Sequence, residues 1–319
     1  MTLIKKIFKE VGSGNIFDVF PFYNELDLLE LRLRTLNEVV DYFVISECYE
    51  TFSGKKKPMH FAENRSRYEE FSAKIIYNPV GCGELADMSN EPWVGYRTRV
   101  HHVRKHKHGG RAPQSLHPSL KREITHRDAA VRGLLPHVSN KDLILLSDVD
   151  EIPKVSAIEM MKNSAKIAPT YFEMDWFLYY LDNKVELPWY GTVAFTLDHL
   201  RGQSLDLLRY ASSDPKGVPG SVLKEGGWHF SYLGGAGAVK EKVSAMPYQG
   251  MRGELAKIFS SINPAYWRNK IKKNEDILLL NRPMKRVLFD KSFPKALFEM
   301  PDLIEKYRTP DGGIGRALK

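Results

Sequence analysis

The sequence feature that most constrains the fold is an apolar strand that ends in acidic residues. Leu143–Leu146 are four consecutive apolar residues, and Asp148, Asp150 and Glu151 follow just beyond Ser147. Such an apolar run predicts a buried strand, which Pro153 terminates. A buried parallel strand needs only apolar side chains. The acids at its carboxyl end therefore predict a ligand site at the edge of an open α/β sheet.

Asp148 and Asp150 lie two positions apart, so an extended backbone places both on one face. Two carboxylates on one face repel each other unless a cation lies between them. Oxygen ligands suit Mg²⁺ or Mn²⁺, which in turn suit a diphosphate. An aspartate after a strand is also common in turns and at helix N-caps, so the Asp-x-Asp pattern alone leaves both interpretations open.

Length and composition indicate an ordinary globular protein. The chain has 319 residues, 43% hydrophobic and 27% charged, which predicts one large domain or two modest ones. No run approaches the roughly 18 apolar residues of a membrane span. The two cysteines, Cys48 and Cys82, give neither a disulfide framework nor a zinc site. They favour a reducing, cytoplasmic setting.

The net charge is +8, and two segments rich in basic residues bear on function. Residues 97–111 are rich in arginine, lysine and histidine without interleaved aromatic residues, which argues against nucleic acid. Anionic lipid, a phosphate-bearing substrate and an ordinary solvated loop stay open as interpretations of this segment. Residues 1–10 combine lysines with apolar residues. This segment is either a short amphipathic helix with weak peripheral membrane contact or a frayed, solvated terminus.

Strands and helices alternate along the first half of the chain, which predicts an α/β fold with βαβ units and parallel strands. Antiparallel strands are expected after the Asp-x-Asp, so the sheet should be mixed and flanked by helices. Residues 226–237 are rich in glycine and aromatic residues and predict a loop. We expect a basic segment at 1–15, one main domain at 16–252, and a mostly helical extension at 253–319 packed on the same core.

Six short motifs then occur in a fixed order. They are residues 20–29 followed by Arg32, then 40–47, 51–55 continued by Lys57, Pro58 and Phe61, then 147–153, 227–232 and 242–245. Together they make roughly residues 16–250 resemble glycosyltransferase family 17, and the order and spacing are far more specific than Asp-x-Asp alone. The resemblance implies a GT-A fold, a Rossmann-like sheet that binds a metal-bound nucleotide sugar at its carboxyl edge.

The same resemblance implies a reaction. Family members transfer N-acetylglucosamine with inversion from a UDP-sugar to a glycan acceptor hydroxyl, which gives a β linkage. Animal members carry a transmembrane anchor, which is not found in this sequence. We therefore expect a microbial or viral enzyme that acts in the cytosol on a different glycan.

Residue roles follow from the resemblance and the motifs. Asp150 is expected to bind Mn²⁺ or Mg²⁺ directly, and Asp148 to contact the ribose or a metal-bound water. His229, with Trp228 beside it, completes the metal site or touches the diphosphate, or is a packed histidine beside a core tryptophan. Lys242 would offset charge on the leaving UDP, or is simply a solvated lysine.

The strand ends supply the nucleotide site. Pro21, Asn24, Glu25 and Glu47 are assigned to the uridine and ribose, although Asn24 also suits a helix N-cap. The helix before the acidic strand adds Arg122, Arg127 and Asp128; Arg127 suits a bidentate phosphate contact or a surface carboxylate.

An inverting transfer also needs a general base. The candidates are Glu225, Asp175 and Asp182. The aromatic residues of the following strands form either an acceptor wall or ordinary core: Trp176, Tyr179, Tyr180, Trp189 and Tyr190.

Two other classes compete with this assignment. A nucleotidyltransferase or sugar-phosphate pyrophosphorylase would need a glycine-rich basic loop after the first strand, where this chain has Pro21 to Glu25 instead. A non-catalytic basic module that binds acidic glycan would leave the acids of the buried strand unexplained.

Overall fold

The computed structural model describes residues 14–81, 118–164, 167–200, 204–211, 220–245, 250–263, 265–277 and 282–310. Within these parts the chain forms one sheet of nine strands. The strands are β1 (Ile16–Phe22), β2 (Tyr42–Cys48), β3 (Ile75–Val80), β4 (Leu143–Leu146), β5 (Glu151–Pro153), β6 (Thr170–Leu178), β7 (Asn183–Phe195), β8 (Ser221–Ser231) and β9 (Met284–Arg286).

Helices cover both faces of the sheet. They are α1 (Leu26–Leu36), α2 (His60–Glu63), α3 (Pro118–Leu134), α4 (Val155–Lys162), α5 (Leu205–Ala211), α6 (Gly235–Ala245), α7 (Gly250–Ile262), α8 (Tyr266–Lys272), α9 (Lys295–Phe298) and α10 (Pro301–Tyr307), with 3-10 helices at Arg65–Lys74 and Leu197–Leu200.

The strand order is β3-β2-β1-β4-β7-β6-β8-β5, with β9 paired to β7. The first four strands are parallel, β7 is antiparallel to both β4 and β6, and β6 and β8 are parallel. The mixed α/β sheet flanked by helices is therefore confirmed. Because β1, β2 and β4 are parallel, their carboxyl ends meet at one edge, directly before the acidic residues.

Alternation along β1 explains how the helices attach. Phe17 and Val19 point to the face that packs on α3, whereas Ile16 and Phe20 point to the face that packs on α1. Helix α1 completes this second layer with its leucine stripe, which includes the fully buried Leu29 and Leu33. The edge that carries the acids is thereby fixed by core packing on both sides.

The prediction of a loop at residues 226–237 was wrong, because its first half, residues 226–231, belongs to β8. The two glycines that favoured a loop are needed for close packing between strands. A Cβ at Gly226 would lie 2.5 Å from the Cβ of Phe172 on β6, and one at Gly227 would collide with the carbonyl oxygen of Ile152 on β5. Glycine here allows neighbouring backbones to approach.

The C-terminal helices pack on the sheet. Leu297 of α9 and Leu303 of α10 belong to one buried cluster with Phe177 of β6 and Phe230 of β8. The domain boundary near residue 252 stays a prediction. No helix in the described ranges is long and apolar enough to cross a membrane.

Some sequence expectations fall on other parts of the chain. Residues 1–10 and 97–111 lie outside the described residues. Cys48 is fully buried and disulfide-bonded, which differs from the reducing setting that the cysteine count favoured. The cytoplasmic location therefore stays a prediction from the sequence.

Candidate functional site

A cavity of about 690 Å³ lies where β1 and β4 end, with β7, β8 and α6 forming its other walls. It collects residues that are far apart in the sequence. Seven of the predicted site residues line it, namely Pro21, Glu25, Arg127, Asp148, Asp150, His229 and Lys242.

A buried arginine holds the acidic loop in place. Arg32 of α1 is fully buried, and its Nε and Nη2 bind the two carboxylate oxygens of Asp18 on β1 at 2.7 and 2.5 Å. Its Nη2 also donates to Ser147 Oγ (2.6 Å). Its Nη1 donates to three backbone carbonyls of the loop, those of Asp148 (3.1 Å), Val149 (3.3 Å) and Glu151 (2.7 Å). The loop is therefore anchored through its backbone, which leaves its carboxylates available.

Asp148 lies between two arginines. Arg127 Nη2 binds its Oδ1 at 3.0 Å, and Arg209 Nη2 lies 3.3 Å from its Oδ2. Burial favours the neutral acid, but these two guanidinium groups hold the pKa of Asp148 below its ordinary value. Its side chain is still 31% exposed and faces the cavity. Asp148 is therefore an ionised carboxylate that a ligand can reach.

Asp150 has a different pair of partners. Lys242 Nζ lies 2.8 Å from its Oδ2, and His229 Nε2 lies 3.6 Å from its Oδ1. Burial opposes ionisation, yet Lys242 and His229 together lower the pKa of Asp150 well below its ordinary value. Lys242 also approaches Glu25 Oε1 at 3.3 Å. Burial lowers the pKa of Lys242, but Asp150 and Glu25 outweigh it and raise that pKa.

The chain reaches Lys242 through a tight turn after β8. Gly234 and Gly235 have φ values of 103° and 75°, a region that side chains rarely adopt. This turn starts α6 and brings its Lys242 over the acidic loop. The sequence predicted Lys242 as a site residue, and the structure places it against Asp150 rather than in solvent.

Glu151 stabilises the site through hydrogen bonds to its buried carboxylate. It is fully buried, and its Oε2 accepts the backbone N–H of Asp148 at 2.9 Å. Its Oε1 accepts from Trp189 Nε1 at 2.7 Å and from Arg209. Glu151 thus fixes both Arg209 and the cavity-lining Trp189.

His229 forms part of the cavity wall. Its ring stacks on Trp176 with centroids 5.9 Å apart and lies 4.4 Å from the Trp189 ring. Its Nδ1 is buried and has no hydrogen-bond partner among the described residues. A buried imidazole nitrogen without a partner is more typical of a ligand site than of a core.

We expect His229→Ala to lower turnover about tenfold or more, while the free energy of unfolding changes by less than about 2 kcal/mol. Steady-state kinetics and urea denaturation of the same preparation measure the two effects. His199→Ala, at a site outside the cavity, is the control. A large loss of stability with normal activity per folded molecule would instead make His229 a packing residue.

The other end of the cavity is lined by residues near the ends of β1 and β2. His126 of α3 is buried, donates from Nε2 to the carbonyl of Ser46 at 2.8 Å, and packs against the Phe52 ring. Lys57 also lines the cavity and binds the buried Glu47 at 3.3 Å. This end therefore offers several aromatic rings, including Tyr23 and Phe52, and the ammonium group of Lys57.

The burial of His126 predicts a pH dependence of stability. Burial lowers the pKa of His126 to about 4, against about 6.5 in an unfolded chain. As the pH falls through this window, the unfolded state binds a proton that the folded state does not. The contribution of His126 is thus complete above about pH 6.5 and is lost towards pH 4. Stability should fall by about 2 kcal/mol between pH 7.5 and pH 5.

Urea denaturation at the two pH values measures this fall. In His126→Gln, whose amide can still donate to Ser46, the fall should be smaller by that amount. An equal fall in both proteins would contradict the assignment.

Five predicted nucleotide-site residues do not line the cavity. Asn24 is not a helix N-cap, because Glu25 occupies that position; the Asn24 amide donates to Glu241 at 2.9 Å. Glu47 is fully buried and accepts from Tyr77 Oη (2.9 Å) besides binding Lys57. It orients a lining residue without being one.

The other three each have a defined hydrogen-bond partner, which lies outside the lining except for that of Arg122. Arg122 donates to the carbonyl of Phe52 at 3.3 Å. Asp128 is buried and accepts the backbone N–H of Asp206 at 2.8 Å. Trp228 packs in the core on the opposite face of β8 from His229, with its Nε1 bonded to the Ser292 carbonyl at 2.8 Å.

The candidates for the general base also lie away from the cavity lining. Asp175 pairs with Lys184 at 2.7 Å. Asp182 is buried and accepts from both the backbone N–H and the hydroxyl of Thr309. Glu225 is exposed, with a φ of 55° at the β8 bulge.

Of the aromatic residues considered for an acceptor wall, Trp176, Trp189 and Tyr190 line the cavity. Tyr179 is fully buried, and its hydroxyl donates to the Glu275 carbonyl at 3.1 Å. Tyr180 is half-buried and is not a lining residue.

Sequence reasoning missed three cationic lining residues, Lys57, Arg209 and Arg282. Arg209 contacts both Asp148 and Glu151, and Arg282 lies 4.5 Å over the Trp176 ring. Lys57 stood inside a quoted motif, but nothing in the local sequence distinguishes Arg209 or Arg282 from a surface arginine.

The described residues contain no group of three or more histidine, cysteine, aspartate or glutamate side chains arranged to bind a metal ion. The predicted metal ligands Asp148, Asp150 and His229 all line the cavity, with His229 beside Asp150, and the lining also contains the carboxylates of Glu25, Glu50 and Glu123.

Comparisons with known proteins bear on this site. The sequence model of glycosyltransferase family 17 matches residues 8–106 and 95–234. No curated protein matches the sequence. Among solved structures, the chain is similar to the inositol-1-phosphate CTP transferase from T. maritima, with a TM-score of 0.32 and 10% identity over 67% of this chain and 86% of that chain.

Proposed function

Because the chain belongs to glycosyltransferase family 17, we propose that its cavity binds UDP-N-acetylglucosamine and transfers the sugar with inversion to a glycan hydroxyl, forming a β linkage. Family membership supplies glycosyl transfer from a nucleotide sugar to a glycan acceptor; the donor and the linkage are our proposal. The observation that carries it is the pair Asp148 and Asp150 at the strand ends, bordered by Arg127, Arg209 and Lys242.

We propose that Asp148 and Asp150 hold Mn²⁺ or Mg²⁺, with His229 beside Asp150. Magnesium is usually held by one or two carboxylates together with substrate phosphates and waters, so these ligands fit without a third acid. The buried Nε of Arg127 has no partner among the described residues, which suits a phosphate oxygen. A cation bound at Asp148 and Asp150 would offset the negative charge of the diphosphate.

The protein's own cations would act on the leaving group. Lys242 stays protonated because Asp150 and Glu25 raise its pKa. Fixed positive charge beside a developing UDP anion lowers the barrier to departure. Lys242 and Arg127 therefore supply the electrostatic part of catalysis in this proposal.

One end of the cavity is proposed to bind the nucleoside and the other to bind the acceptor sugar. Pro21, Glu25, Lys57 and His126, near the ends of β1 and β2, are proposed to surround the uridine and ribose. Trp189 and Tyr190 of β7 are proposed to stack against an acceptor sugar, since sugar rings present apolar C–H faces to aromatic side chains.

Product analysis tests the proposal. The protein is incubated with UDP-N-acetylglucosamine, UDP-glucose or GDP-mannose, with Mn²⁺ and a glycan array, and the products are identified by mass spectrometry. We expect UDP release and an added N-acetylhexosamine only with the first donor. A parallel incubation supplies a nucleoside triphosphate and a sugar phosphate, and release of pyrophosphate there would instead indicate a nucleotidyltransferase.

A further inference from the structure

Helix α7 carries an apolar stripe that faces solvent. Leu255, Ile258, Phe259 and Ile262 are 38%, 51%, 45% and 75% exposed. Their spacing of three and four residues places them on one side of the helix. They are four of the nine large exposed hydrophobic residues in the described part of the chain. Single exposed apolar residues are ordinary, but a contiguous stripe marks a contact surface.

Another side of α7 is anchored in the fold. Ala256 is fully buried and shares a core cluster with Val239 and Val243 of α6 and with Trp267 and Ile271 of α8. The exposed stripe is therefore displayed by a helix that is already packed. That same cluster contains Trp176 and Tyr232, which line the cavity, so the surface is joined to the candidate site through the core.

Helix α8, which packs against α7, carries exposed positive charge. Arg268 and Lys272 of α8, and Lys273 just beyond, are exposed, and none forms an ion pair with another described residue. Residues 250–275 contain six lysines and arginines and two glutamates. Their net charge of +4 is half of the net charge of +8 of the whole chain.

We propose that α7 and α8 dock on an anionic lipid bilayer. The stripe would enter the boundary between headgroups and acyl chains, and the α8 cations would contact lipid phosphates. A second copy fits less well as the occupant. A two-fold interface pairs the patch with itself and would bring the two basic helices together.

Vesicle co-sedimentation of the full chain tests this. Phosphatidylcholine vesicles are compared with vesicles that also contain phosphatidylglycerol, at low and at physiological salt. We expect binding only to the anionic vesicles, weakening as salt increases. The triple variant I258S/F259S/I262S should bind at least about tenfold more weakly. The triple variant R268Q/K272Q/K273Q should weaken binding and reduce its salt dependence.

The matched control replaces three exposed apolar residues elsewhere, Met160, Val222 and Leu288, with serine. It should bind like the unmodified protein, and thermal melts should show that all variants fold. Equal loss in the control and stripe variants, or no vesicle binding at all, would overturn the proposal. Binding that is lost on deleting residues 1–13 but kept in the stripe variant would also overturn it. A dimer abolished by I258S/F259S/I262S in sedimentation velocity, without lipid binding, would assign the face to a second copy.

Discussion

Asp150→Asn should reduce kcat/KM for sugar transfer by about a thousandfold or more while the protein stays folded. Asparagine keeps the shape of the side chain but removes the charge that faces Lys242 and His229. A divalent cation would lose its main ligand, and Lys242 would lose its nearest carboxylate. Initial rates of UDP release with saturating Mn²⁺ measure the effect, and circular dichroism melts report folding.

The control is Asp302→Asn, at an exposed position in the first turn of α10. Asp302 is not a residue of the cavity lining, so removing its negative charge should leave transfer unchanged. If Asp150→Asn retained full activity with Mn²⁺ present, the role of Asp150 as a metal ligand would be rejected.

Arg32→Met should lower the free energy of unfolding by about 3–5 kcal/mol. Methionine fills much of the same space, but it leaves Asp18 as a buried charge without its partner and removes the donor to three loop carbonyls. Urea denaturation followed by fluorescence measures the change. Folded molecules should also transfer sugar more slowly, because the acidic loop loses its anchor.

Helix α1 offers a matched control. Arg34 is 37% exposed and pairs with Glu30 and Glu70 at the surface, so Arg34→Met should cost less than about 1 kcal/mol. The double variant D18L/R32M removes both buried charges and should recover part of the lost stability. Equal losses in Arg32→Met and Arg34→Met would contradict the anchoring role.

The local sequence pattern predicted the buried strand that ends at the acidic residues. The observed β4 lies at the continuous apolar segment that predicted it, and Asp148 and Asp150 beyond it line the cavity. β8 was missed because glycine weakens strand propensity. Its Gly226 and Gly227 are explained only by the neighbouring strands, which no local pattern reveals.

Trp228 and His229 of β8 show that neighbouring residues of one motif need not share a role. Trp228 and His229 were assigned together, but successive residues of a strand point to opposite faces. His229 faces the cavity, and Trp228 is buried in the core behind it. Had the segment been recognised as a strand, the alternation would have separated the two roles.

Long-range contacts account for what the sequence did not reveal. Arg209 reaches Asp148 from a helix 61 residues away, and only the fold brings them together. Arg32 carried a signal, because it stands among the leucines of an amphipathic helix, where a charged residue requires a buried partner. The identity of that partner, Asp18, depends on the pairing of α1 with β1.

Calorimetric titration with UDP tests the central claim, that a diphosphate is bound at Asp148 and Asp150 together with a divalent cation. The protein is titrated once with Mn²⁺ and once with EDTA, and Asp150→Asn is titrated under both conditions. Asp148 and Asp150 are already paired with Arg127, Arg209 and Lys242, and a bound divalent cation would add the positive charge that holds a diphosphate beside these carboxylates. We predict binding at least about tenfold tighter with Mn²⁺ in the unmodified protein and no such difference in Asp150→Asn. Equal affinity for UDP in Mn²⁺ and in EDTA, or no binding in either, would contradict the claim.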